Sequence, residues 1–127
     1  MANIVQAEAN NMLNASLGKA SYTATATPIR LRLMTANGSP TAAGTEVSGG
    51  SYAAQDITAA IATASGGSTS NSGVITFTGM PAVTVVGVEI VDNNGVRKWY
   101  GALTASKTTA AGDSISFAVG ALTLAIS

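Results

Sequence analysis

The chain carries six Asp and Glu side chains, six Lys and Arg side chains, no histidine and no cysteine. That inventory excludes most enzymology. Without imidazole there is no Ser-His-Asp or Cys-His arrangement, and the usual general base at neutral pH is missing. Without thiol there is no disulfide, thiolate chemistry or cysteine-bound metal. A glycosidase needs two carboxylates a few ångströms apart across a sugar. Glu8, Glu46, Asp56, Glu89, Asp92 and Asp113 are instead scattered, with no two on one expected face. Asp92-Asn93-Asn94-Gly95 matches part of a calcium loop, but the further oxygen ligands and the distal glutamate are missing. The runs Thr41 to Thr45 and Ser48 to Ser51 lack the Lys-Ser/Thr close of a phosphate loop. The expectation is a protein with no catalytic residue, no metal ligand and no cofactor.

Two weaker constellations remain. Arg30, Arg32, Arg97 and Lys98 suit a small basic patch. Nucleic-acid affinity is built from many phosphate neutralisations, so a patch this small in a neutral chain is expected on solvated strand faces or between subunits, with no nucleic-acid partner. Tyr22, Tyr52 and Tyr100 are of the type that stacks on sugars, although isolated tyrosines more often cover the edge of a core. The candidates for interface or glycan contact are therefore Tyr52, Tyr100, Arg30 and Arg32.

The elements that must position these residues are mostly strands. Residues 3–17 are expected to be helical: Asn3 can cap, Gln6 completes a capping box, and Val5, Ala9, Met12, Leu13 and Leu17 share one stripe until Gly18. Such a helix serves as a lid on its own sheet or as an arm on a neighbour. Beyond it the period becomes two. Ile29, Leu31 and Leu33 alternate with Arg30 and Arg32, and Pro28 suits a strand start. Residues 35–50 and 66–73 read as loops, 51–61 and 74–78 as strands. In the hairpin 82–104, Asn94-Gly95 points to a two-residue type I′ turn. That turn pairs Asp92 with Arg97, Val91 with Lys98, Ile90 with Trp99, Glu89 with Tyr100, Val88 with Gly101 and Val86 with Leu103, which makes Trp99 core. After a turn at 110–113, Ile115, Phe117 and Val119 alternate with polar residues, Gly120 kinks the chain, and Leu122, Leu124 and Ile126 resume the alternation. The fold expected is a small antiparallel β-sandwich (a barrel being the runner-up) with one N-terminal helix, as a single domain over 1–127 with the sandwich over 22–127.

Only 9% of residues are charged and the net charge is zero, far below the roughly 25% usual for soluble domains. A chain of this mass exposes roughly 6,000 Å² on its own, a surface on which twelve charges are sparse. Much of it is expected to be covered by other protein. The start lacks the basic and apolar regions of a secretory signal, and the mostly apolar run 80–91 is too short for a helical span and contains Glu89. Synthesis in a cytoplasm with no membrane anchor is the expectation.

Three stretches carry a likeness in order along the chain: GTEVSGGSYAAQDI (44–57), ASGGSTSNSGVITF (64–77) and WYGALTASKTTAAGDSISFAVGALTL (99–124). With the N-terminal helix, the Thr-Glu-Val-x-Gly-Gly-x-Tyr motif and the Trp-Tyr-Gly-Ala-Leu strand, the sequence resembles a family of short tailed-bacteriophage virion proteins labelled tail fibre, minor tail or capsid decoration. Members often carry Arg where this chain has Ala54, so no role of that cation carries over. The resemblance implies a non-enzymatic structural protein on the virion exterior. The expected role is head decoration, many copies clamping the major capsid lattice, with tail or tail-fibre association next and a host-glycan-binding module as the third reading. Expected partners are copies of itself, as a trimer or another small ring, and capsid or tail proteins.

Overall fold

Alternation of large apolar residues with polar ones builds the structure, a computed structural model that describes residues 2–126. The described residues form strands β1 (Ala2–Ile4), β2 (Arg30–Ala36), β3 (Thr45–Glu46), β4 (Gln55–Asp56), β5 (Ser68–Ser70), β6 (Ile75–Met80), β7 (Thr84–Val91), β8 (Arg97–Thr108), β9 (Asp113–Phe117) and β10 (Thr123–Ala125), with one helix, α1 (Gln6–Ser16), between β1 and β2. The main sheet runs β3-β2-β7-β8-β1-β10-β5, with β4 also paired to β2, while β6 and β9 form a second, two-stranded sheet. The sheets are not closed, so the all-β fold is sandwich-like and no barrel forms. The β1–β10 pair is parallel; the other paired strands are antiparallel.

Leu31 and Leu33 of β2 and Val85, Val88 and Ile90 of β7 meet Ile75, Phe77, Met80, Ile115 and Phe117 of the small sheet in one buried cluster. Phe77 and Phe117 pack edge to face, with ring centroids 6.2 Å apart. Each fully buried side chain of this size contributes about 1.5–3 kcal/mol by leaving water. After β8 the chain changes sheet twice, into the small sheet at β9 and back to the main sheet at β10. Thr109 holds the first corner, donating from Oγ1 to the Pro81 carbonyl at 2.6 Å. At the second, Gly120 takes φ +82°, the kink expected there, and sends β10 into the main sheet beside β1. Val119 lies at this kink and is exposed, against its place in the expected alternation.

Several expectations need correction. The helix does not start at Asn3: residues 2–4 are a strand in which Asn3 faces Tyr100 of β8, and the N-cap is Val5, with no side-chain cap. Pairing with β8 buries Ala2 and outweighs a capping box. Gly18 ends the helix as read, at φ +72°. The apolar stripe divides: Val5 is buried, Ala9 and Met12 are half-buried, and Leu13 and Leu17 are 59% and 68% exposed. Of 51–61 only β4 is strand, and the loop 66–73 contains β5.

The hairpin is right at its centre, where Ile90 faces Trp99, Glu89 faces Tyr100 and Val88 faces Gly101. The turn differs. Only Gly95 has positive φ; Gly95 N–H bonds to the Asp92 carbonyl at 3.1 Å and Asp92 N–H to the Val96 carbonyl at 2.9 Å. This is a three-residue loop with a bulge at glycine, and it sets Val91 opposite Arg97. Lys98 is then an extra residue on β8, and that second bulge restores the register. Val86 does not face Leu103, because a longer irregularity lies between Val85 and Gly87. Trp99 is half-buried at the margin of the core cluster, not within it.

Candidate interaction surface

The second face of the main sheet carries a row of polar side chains. By register, Arg32 of β2, Glu89 of β7, Tyr100 of β8 and Asn3 of β1 stand side by side. Glu89 is fully buried. Its Oε2 accepts from the Gly44 N–H at 2.9 Å and from Arg97 Nη1 at 3.1 Å, and its Oε1 lies 3.6 Å from Arg32 Nη2. Arg32 Nη1 is 3.6 Å from Glu46 Oε1. Tyr52 donates to Glu46 Oε2 at 2.8 Å and accepts from the Leu33 N–H at 2.9 Å. Arg97 donates to the Ser39 carbonyl at 2.8 Å and lies over the Tyr100 ring, 5.8 Å from its centroid. Loop residues Gly38 and Gly44 fit only as glycine: a Cβ would meet the Glu89 carboxylate at the first and the Ala36 carbonyl at the second.

The structure thus brings three of the four sequence candidates into one network, Tyr52–Glu46–Arg32–Glu89–Arg97–Tyr100. Tyr52 also stacks on Phe77, with centroids 6.0 Å apart, and burial pushes its phenol pKa up. Arg30 stays outside, 3.4 Å from Asn93 Oδ1 and opposite Asp56. The Asp56 carboxyl is held below its ordinary pKa, first by the Thr58 backbone N–H and then by the Thr58 hydroxyl and Arg30. Lys98, re-aimed by its bulge, reaches Glu8 of α1 at 2.9 Å. The expected basic patch is therefore mostly paired with internal acids. What the network does physically is fasten the 37–44 loop and the edge strand β3 to the rest of the sheet.

The exposed apolar surface lies elsewhere. Ile29, Ile61, Ile90, Trp99, Leu124 and Ile126 line a groove of about 210 Å³. Past Ile126 a second hollow, of about 320 Å³, continues between Ile4, Met12 and Leu13. Ile126 and Leu13 are more than half exposed. Sequence reading missed Leu13 and Ile126 as surface because their alternation and helical spacing match those of core residues. Among the described residues no cluster of acids could hold a metal ion, and no helix is long and apolar enough to cross a membrane.

Residues 3–125 match the family described as podophage GP4 fiber I protein gp80. The chain belongs to this family. It is a structural protein of a short-tailed phage virion, of the fibre type, and the resemblance carried by the 44–57, 64–77 and 99–124 stretches holds. No curated protein matched the chain. For a fibre-family protein that associates with other virion components, a surface of paired charges and open apolar grooves is the relevant chemistry.

Proposed function

We propose that this protein is a fibre-associated component of the virion, held by apolar contact to copies of itself and to neighbouring virion proteins. The observation that carries this is the continuous apolar margin of Trp99, Ile126 and Leu13 on a chain whose family is of the fibre type. Glu8, Arg32, Glu46, Glu89, Arg97 and Lys98 spend their charge on one another, so few exposed ions must shed water when a partner covers the surface. The many Ser, Thr and Ala side chains lose little entropy when pinned there. Nothing in this role calls for catalysis or a cofactor.

Head decoration, the role expected from the sequence, has the same physical basis, and the fibre description of the family moves it to second place. Quantitative mass spectrometry of purified virions separates the two. A fibre role gives few copies, enriched in purified tails or fibres; decoration gives copy numbers matched to the shell lattice. Absence from purified particles would end both.

A further inference from the structure

Between α1, the strap 20–26 and the β7–β8 turn lies a polar cleft of about 250 Å³, lined by Asn11, Asn14, Tyr22, Thr25, Asp92 and Asn94 among others. We propose that this cleft binds a neutral saccharide, one or two rings in size. A planar amide presents a donor and an acceptor together, the pattern that meets two adjacent sugar hydroxyls. Among the described residues, the side-chain amides of Asn11, Asn14 and Asn94 find no hydrogen-bond partner. Tyr22 is 43% exposed and offers the apolar ring on which the C–H face of a pyranose packs. The strap is tied at its ends, by Lys19 and Ala20 N–H to the Asn14 carbonyl and by Asn93 N–H to the Ala26 carbonyl. Residues 21–25 make no backbone–backbone hydrogen bond to another described residue, which leaves further donors and acceptors along the rim.

Charge selects among sugars. Asp92 Oδ1 is fixed by the Asn94 and Val96 N–H groups at 2.8 and 2.9 Å. Lys98, at the cleft wall, is neutralised by Glu8 at 2.9 Å. The cleft is therefore net negative and disfavours uronic and sialic acids. Its volume falls below the roughly 300–1,000 Å³ of sites for drug-sized ligands, and each hydrogen bond contributes only about 0.5–1.5 kcal/mol net. A single site binds in the millimolar range, and many copies on a particle raise avidity. That last point rests on the virion role proposed above; the cleft's chemistry does not. Tyr52 and Tyr100, the earlier sugar candidates, are engaged within the internal network instead.

The test is saturation-transfer NMR on the purified full chain with methyl glycosides of glucose, galactose and mannose, and with glucuronic acid as the acidic counterpart. Amide shift mapping reports where each sugar binds. Transfer to a neutral glycoside is expected, with shifts confined to residues 11, 14, 20–26 and 92–94, and with glucuronic acid binding more weakly. Tyr22→Ala and Asn11→Ala, both on exposed side chains, should weaken binding by about tenfold without moving the melting temperature. No transfer from any neutral glycoside, shifts elsewhere, preference for glucuronic acid, or variants that bind like the parent would each overturn the site. Copy counting reads the virion role separately, so either proposal can fail alone.

Discussion

Asn71 is fully buried in a Ser- and Gly-rich stretch that reads from sequence as plain loop. Its Nδ2 donates to the Gly73 and Ala118 carbonyls, each at 2.9 Å, and its Oδ1 accepts from the Leu122 N–H at 2.9 Å. Its backbone bonds Leu122 and Gly120 as well, so one residue pins the corner where the chain leaves the small sheet. Asn71→Ala should cost about 2–4 kcal/mol, because the buried Leu122 N–H loses its acceptor and the Gly73 and Ala118 carbonyls each lose a donor. Urea unfolding reads this directly; a parental midpoint would mean the corner holds by apolar packing alone. Composition could not single out Asn71, since a buried asparagine and a solvated one look alike in such a stretch. Trp99 failed in the opposite way. Its facing was legible from pairing with Ile90, but its depth was not, because the groove beside it is left open. Trp99→Ala should therefore cost less than the about 3–5 kcal/mol of a fully buried aromatic.

The elements that were misread are those decided by contacts remote in sequence. An Asn3 cap is worth about 1 kcal/mol, whereas three residues of pairing on β8 place Ala2 in the core. The Asn-Gly signal marked the turn, and the apolar pattern fixed the register beyond it. The loop type followed neither, because the bulge at Lys98 absorbs the difference. That bulge also ties α1 to the sheet through Glu8, which gives the tether a pH signature. Burial opposes the Lys98 charge, but the hydrogen bond and charge of Glu8 prevail and its pKa is raised. The Tyr52 pKa is also raised, mainly by burial. In both cases the folded state holds its proton more tightly than the unfolded chain does. Their stabilisation is complete below the ordinary values near about 10 and is lost as pH rises through the folded ones. Stability to urea should stay level toward pH 10 as far as these two groups control it, then fall. Tyr52→Phe and Lys98→Gln should each make the alkaline decline shallower; an unchanged slope in both would remove the two groups as its cause.

At the scale of the whole molecule, sparse charge was legible and its arrangement was not. The surface is 6670 Å², and half of the twelve charged side chains face each other across the sheet and under α1. What is left for solvent is largely hydroxyl, amide and apolar, with Leu13, Leu17 and Ile126 exposed. An association built on such a surface should depend little on ionic strength. Raising salt from about 0.1 to 1 M shortens the Debye length from about 10 to 3 Å and suppresses contacts between exposed ions. It does not weaken apolar burial. In sedimentation velocity, self-association of the purified chain is expected to persist or strengthen across that range. Leu13→Glu together with Ile126→Glu places two carboxylates on the apolar margin and should shift the protein to monomer with its melting temperature preserved, because both positions are already exposed. Dissolution of the assembly by salt, or a double variant that associates like the parent, would move the contact away from this margin.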